Sequence, residues 1–238
     1  GTTRHPEEDP SMSLTLIEKV HETADIWAFR IRSDEPLVWE AGQYVRVEVP
    51  HPDPDDEGTT RWFTNSAAPY EGILQITTRV TGTTFKQALS RLEPGDRIEL
   101  LEDPDGDFTW EDTDVPVVFV AGGIGITPFH SILKQRVHDG DPLDVTLIYG
   151  SGSEDVAFAD ELSGWEEADH SLTVHRVVGE PLTVQVLARL VPDLMGSLVY
   201  VSGPEPMVEA LGADLREAGL PDPQLKEDFF PGYAADDI

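Results

Sequence analysis

The chain has 238 residues, enough for one large or two small domains, and its 39% hydrophobic content supports ordinary cores. It has no cysteine, which excludes disulfides, zinc–thiolate sites and a cysteine-ligated iron–sulfur cluster on these residues. The 46 acidic against 16 basic residues give a formal net charge of −30 spread along the whole chain, which excludes a general nucleic-acid surface. An acidic coat adapted to high salt is the preferred reading of that charge, and an acidic face for a basic partner is the alternative. No run is apolar enough for a membrane helix and no signal-peptide pattern opens the sequence, so cytoplasmic residence is the default expectation.

Residues 1–12 read as a flexible polar tail. Residues 13–112 carry short alternating runs at 14–20, 26–32, 44–49, 73–79 and 97–101, separated by turn-rich segments, and this rhythm predicts an antiparallel β-barrel. Asp53-Pro54-Asp55-Asp56-Glu57 reads as an acidic hairpin loop. Thr60-Arg61-Trp62-Phe63-Thr64-Asn65-Ser66 places a cation, an aromatic and a hydroxyl on one extended segment, with Arg61 and Phe63 on one face and Thr64 on the other. A helix is expected over 85–92, capped by Thr84 with Gln87 three residues later and stopped by Pro94-Gly95. Asp103-Pro104-Asp105-Gly106-Asp107 hints at a calcium loop, but its glycine stands at the wrong offset and the twelfth position is Asp114. With the seven histidines scattered, no metal site is expected.

Residues 113–238 change rhythm to strand and helix in alternation. Strands are expected at 117–121, 145–149, 172–177 and 198–202, and helices at 128–138, 157–162, 184–191 and 205–218. That pattern predicts a doubly wound parallel sheet, whose ligands lie outside the carboxyl ends of its strands. The stretch Val117-Val118-Phe119-Val120-Ala121-Gly122-Gly123-Ile124-Gly125-Ile126-Thr127-Pro128 reads as buried strand, tight loop and helix start, with Thr127 as N-cap and Pro128 at the first helical position. Such a turn can present amides to a pyrophosphate, or serve packing alone. Loops at 150–153 and 202–206 fall at the same sheet edge.

Read together, these segments resemble the ferredoxin–NADP reductase-like family of FAD/NAD(P)-binding flavoproteins. Arg61-Trp62-Phe63-Thr64 resembles its Arg-x-Tyr-Ser/Thr flavin motif, and Gly82-Thr83-Thr84 its flavin-phosphate loop. The run from Gly122 to Pro128 is similar to its pyridine-nucleotide loop, and Ser202-Gly203-Pro204-Glu205-Pro206-Met207 to its Cys-Gly-x-x-x-Met segment. Glu227-Asp228-Phe229-Phe230-Pro231-Gly232-Tyr233 resembles the terminal aromatic segment of bacterial members. The resemblance runs in order from about residue 14 to 233.

The resemblance implies a FAD-binding barrel followed by an NAD(P)-binding α/β domain, with hydride transfer from NAD(P)H to FAD and single electrons passed to a separate carrier such as ferredoxin or flavodoxin. It implies that Arg61 pairs with the FAD pyrophosphate, that Phe63 packs on the flavin ring and that Thr64 offers its hydroxyl to flavin N5. Thr78, Arg79 and Val80 would line the cofactor's path, and Gly82, Thr83 and Thr84 would meet phosphate. Phe230 would stand near the other flavin face, with Phe229 or Tyr233 as alternatives. Gly122, Gly123, Gly125, Thr127, Pro128, Ser151, Gly203 and Met207 would hold NAD(P). Ser202 takes the place of the family's cysteine near the nicotinamide. Arg176 is the candidate for the 2′-phosphate of NADP, while glycine after the second nucleotide-domain strand argues the other way, so NADH and NADPH both stay open. A reductase component of an oxygenase is a second reading, and a non-catalytic nucleotide-binding subunit a third.

Overall fold

The computed structural model describes residues 11–230. Strands β1 (Met12–His21), β2 (Ile26–Arg32), β3 (Tyr44–Glu48), β4 (Thr60–Thr64), β5 (Leu74–Arg79) and β6 (Arg97–Leu100) form one sheet in the order β4-β3-β6-β1-β2-β5. Every pairing in it is antiparallel. Alternation sets which side chains point inward: Val45 and Val47 on β3 are buried, while Tyr44, Arg46 and Glu48 are only partly so. Leu14, Phe29, Phe63, Phe85 and Ile98 fill the resulting core. The two edge strands meet through the segment after β4. Ser66 donates its amide to Gln75 O at 3.0 Å, and Asn65 Oδ1 accepts the Gln75 amide at 3.0 Å. Those bonds draw the sheet into the expected barrel.

Helix α1 (Thr84–Arg91) starts one residue earlier than expected. Gly82 turns the chain at φ +104°, which leaves Thr83 extended and able to accept the Lys86 amide. Thr83 is therefore the N-cap, and Thr84 is not. Gln87 donates to Gly82 O at 3.4 Å instead of closing a capping box.

The second sheet is parallel, with β7 (Val117–Gly122), β8 (Val145–Ser151), β9 (Leu172–Val178), β10 (Leu198–Pro204) and β11 (Leu225–Phe230) in the order β11-β10-β7-β8-β9. All residues of β7 are buried, as a central strand covered on both faces requires. Phe119 packs with Phe129 and Tyr200 on one side, and Val118 and Val120 pack with Val199, Val201 and Leu211 on the other. Helices α2 (Thr127–Asp139), α3 (Ala159–Ala168), α4 (Val184–Leu190) and α5 (Glu205–Glu217) supply the covering layers. The chain leaves β7 toward β8 and β9 on one side and returns to β10 and β11 on the other, so the sheet reverses its winding between β7 and β10. Among the described residues no helix is long and apolar enough to cross a membrane.

Two helix starts differ from expectation. A 3-10 turn at Gly123–Ile126 runs directly into α2, so Ile126 stands at the cap, already helical, and Thr127 lies inside the first turn. The Thr127 hydroxyl donates to Ile124 O at 3.2 Å, and Pro128 is the second helical residue, not the first. Helix α3 begins at Ala159, beyond the expected 157, because Phe158 adopts φ +63° and a left-handed residue cannot open a right-handed helix earlier. Strand β11 is an element the sequence rhythm did not announce.

Candidate functional site

The site is built from the barrel's β4–β5 side and the carboxyl ends of the parallel strands. Register brings three loops together there. Ala121 pairs with Ser202, and Gly122 pairs with Gly150, so the turns after β7, β8 and β10 share one edge. The turn at Gly123–Ile126 packs against β5 of the barrel and against β11.

The glycines of this edge are short of room. A Cβ on Gly125 would stand 2.1 Å from the Ser202 carbonyl oxygen and 2.7 Å from the Gly203 amide nitrogen. On Gly203 it would stand 2.9 Å from Met207 Sδ, and on Gly150 2.7 Å from a Leu182 methyl. Gly123 turns at φ +54°. Gly122, Gly123, Gly125, Thr127 and Pro128 are all buried. The absence of side chains here lets β7, β10 and the head of α2 close on one another.

Thr64 and Ser202 belong to different sheets. Thr64 pairs in register with Tyr44. Tyr44 lies within the electrostatic reach of Asp228, and Asp228 pairs in register with Ser202. Thr64 is buried, and Ser202 is fully so, with its Oγ making no hydrogen bond. A buried hydroxyl without a partner costs about 1–3 kcal/mol, which marks the position as chemically unfinished by the protein alone. Burial and the nearby Asp107 push the Asp228 carboxyl up to about 7, so it exchanges a proton near neutrality. Burial and the carboxylates of Asp105, Asp228 and Asp107 also push the Tyr44 phenol up. Sequence reasoning placed Asp228 only inside an aromatic segment and missed Tyr44; the β10–β11 register reveals the first and the β3–β4 register the second.

Around the expected flavin motif, Arg61 and Phe63 do share a face. The Arg61 guanidinium lies 4.9 Å from the Phe85 ring, and the Phe63 ring lies 5.9 Å from it. Arg61 keeps 15% of its side chain exposed, and its donors are engaged by its own loop. Nη2 meets Asp55 Oδ1 at 3.2 Å, Nε meets Glu57 Oε2 at 2.9 Å, and Nη1 donates to the carbonyls of Glu57, Gly58 and Thr60. Thr78 is buried on β5, Arg79 pairs with Asp25, and the Val80 amide donates to Asp25 O. Gly82 and Thr83 form the approach to α1, where a Cβ on Gly82 would meet no atom within 4 Å. Phe229 is 44% exposed. Phe230 ends β11 with its side chain outside the description, and Tyr233 lies outside the described residues.

On the nucleotide side, Ser151 donates to Ser153 O, and Arg176 donates to Glu154 O at 2.7 Å with its guanidinium 5.5 Å from the Tyr149 ring. Met207 packs into the apolar layer under α5. The two halves are tied by charge. Glu71 accepts from Arg30 of the barrel at 3.1 Å and from Lys134 of α2 at 3.2 Å, and Lys134 also lies 3.7 Å from Glu161 of α3. His130 sits between Ser66 O, at 2.6 Å, and Glu161, at 3.1 Å. Burial pushes the Glu71 and Glu161 carboxyls up, but the Ala68 amide, Lys134 and Arg30 at Glu71, and His130 and Lys134 at Glu161, hold both below the usual range. Among the described residues no cluster of histidines and acids could hold a metal.

Residues 119–212 match the family model described as the oxidoreductase NAD-binding domain. The chain is 30% identical over 239 residues to the ferredoxin reductase component of 3-ketosteroid-9-alpha-monooxygenase from Mycolicibacterium smegmatis, covering 96% of this chain and 64% of that protein. It is 27% identical to the reductase component of propane 2-monooxygenase from Rhodococcus jostii, covering 96% and 65% respectively. Among solved structures, the Amycolatopsis cytochrome P450 reductase GcoB superposes with a TM-score of 0.79 at 24% identity, over 93% of this chain and 70% of that one. A Neisseria gonorrhoeae ferredoxin NADP+ reductase with bound FAD and NADP superposes with a TM-score of 0.76 at 19% identity, over 92% and 98%. The chain spans about three fifths of the length of the first curated relatives it matches.

Proposed function

We propose that this chain is a member of the ferredoxin–NADP reductase-like family of FAD/NAD(P)-binding flavoproteins and an NAD(P)H-dependent flavin reductase passing electrons to a separate protein, a reading supported by the NAD-binding domain match, the reductase-component relatives and the shared fold. The observation that carries the reading is the convergence of the turns after β7, β8 and β10 on one sheet edge against the barrel's β5, at a winding reversal, where α/β sheets bind their ligands. When bound, FAD and NAD(P)H supply the hydride and electron chemistry; the chain's task is distance, alignment and hydrogen bonds.

The residues suit that task. Arg61, the α1 start with Thr83 and Thr84, and the open backbone at Gly82 offer a cation, a helix end and hydroxyls to a diphosphate. Phe63 and Phe85 give the barrel an aromatic wall beside Arg61. In this reading the unpartnered Ser202 Oγ and the Thr64 hydroxyl serve the reacting rings, and Asp228 holds a proton near neutral pH on the strand beside Ser202. The barrel through residue 112 takes the flavin and residues 113–238 take the nucleotide. Gly122, Gly123 and Gly125 shape the nucleotide edge, and Arg176 beside Tyr149 marks its far end.

A second reading concerns the acceptor. Monooxygenase reductase components recur among the relatives, so an oxygenase system is the favoured destination of the electrons. The absence of cysteine from these 238 residues places any cysteine-ligated cluster elsewhere. The charge of −30 fits a protein working in high salt, in the cytoplasm.

Anaerobic titration with NADH and then NADPH, followed by candidate acceptors, tests the proposal. The flavin band should bleach with at least one nucleotide and recover on addition of an acceptor. A colourless protein that takes up no FAD overturns it. Arg61→Ala should weaken FAD retention at least about tenfold.

A further inference from the structure

The acidic loop between β3 and β4 occupies both parts of the expected phosphate cradle. Asp55 and Glu57 hold the Arg61 guanidinium at 3.2 and 2.9 Å. The Asp55 amide donates to Thr84 Oγ1 at 3.2 Å, at the start of α1. His51 Nε2 meets the same hydroxyl at 3.2 Å, while its Nδ1 donates to Val49 O at 2.8 Å. Burial alone would push the Asp55 carboxyl up, but the Glu57 amide and Arg61 outweigh it and keep the group ionised at neutral pH. Two carboxylates against one guanidinium leave this corner with a net negative charge before any phosphate arrives.

We propose that Asp55 and Glu57 act as an internal counter-anion that competes with the flavin diphosphate for Arg61, so that this chain retains flavin more tightly as salt rises. The inference rests on the flavoprotein reading. It has a diagnostic sign, because an ordinary arginine–phosphate site weakens with salt. Here the approaching diphosphate meets the loop's carboxylates over distances that salt screens, since the Debye length falls from about 10 Å at ~0.1 M to about 3 Å at ~1 M.

The test is equilibrium FAD binding, read by quenching of flavin fluorescence, between about 0.1 M and about 2 M KCl. Wild-type Kd should fall as KCl rises. Asp55→Asn with Glu57→Gln should tighten FAD at low salt by at least about threefold. Glu209→Gln with Asp214→Asn removes the same charge from the exposed face of α5 and should leave Kd unchanged. A loop variant with equal or weaker affinity overturns the proposal, as does a control that tightens FAD equally. Should the loop variant not fold, a wild-type Kd that rises with KCl overturns it alone. If neither wild type nor variant takes up FAD at any salt, the flavoprotein reading falls, and this inference with it.

Discussion

The two halves of the candidate site are built from different materials. The barrel half presents side chains: a guanidinium over an aromatic ring, a capped helix start and hydroxyls. The parallel-sheet half presents backbone, and its glycines matter for what they omit. Electrostatic recognition can be tuned or masked by neighbours, as Asp55 and Glu57 mask Arg61. Recognition by close backbone packing cannot be masked in that way, but it fails abruptly when an atom is added.

That contrast can be broken at its strongest point. Gly125→Ala should cost about 3 kcal/mol, because its new methyl meets the backbone of Ser202 and Gly203 and neither can move aside. A urea midpoint unchanged from wild type would remove the packing argument. Next comes Glu71→Gln, which leaves Lys134 and Arg30 short of a partner across the halves and should cost about 2 kcal/mol at pH 7. Because the folded Glu71 holds its proton less tightly than an ordinary glutamate, its contribution is complete above the ordinary range and disappears as pH falls through the folded value. Wild type and variant should therefore converge in stability in acid; equal separation at pH 3 and pH 7 would contradict this.

Gly82→Ala sharpens the comparison from the barrel side. Space is open there, so only the φ of +104° resists, and about 1–2 kcal/mol is expected, measured as a smaller shift in urea midpoint than at Gly125. Asp228→Asn is read as a slope with pH and not as a single difference at neutral pH. The folded carboxyl holds its proton more tightly than the unfolded one, so wild-type stability declines as pH rises from about 4 toward about 7. The variant should lose that decline and gain on wild type at pH 8, as measured by thermal unfolding across pH.

Much of this architecture is legible in the sequence where local chemistry decides. The β-branched run before Gly122 reads as a buried central strand, and it is one. The two-residue period that puts Arg61 and Phe63 on one face survives, since both reach Phe85. Strand β11 is not legible, because Lys226, Glu227 and Asp228 are poor strand formers and only the neighbouring β10 recruits them. Asp228 as a site residue is hidden for the same reason. Thr127 looks like a cap because a cap needs a local hydroxyl, yet the preceding glycines had already wound the chain into a helical turn. The acidic loop reads as solvated surface, and its only sequence trace is the spacing of Glu57 and Arg61, which lets a bend bring them together.

The row formed by Arg30, Glu71, Lys134, Glu161 and His130 has a mechanical meaning. Glu71, Lys134 and His130 each reach partners on both sides of the joint. Turning one side against the other would strand an ion, and protonation of Glu71 and Glu161 in acid would weaken these ties. The spacing of the two halves is thus held by charged and hydrogen-bonded side chains that reach across the joint.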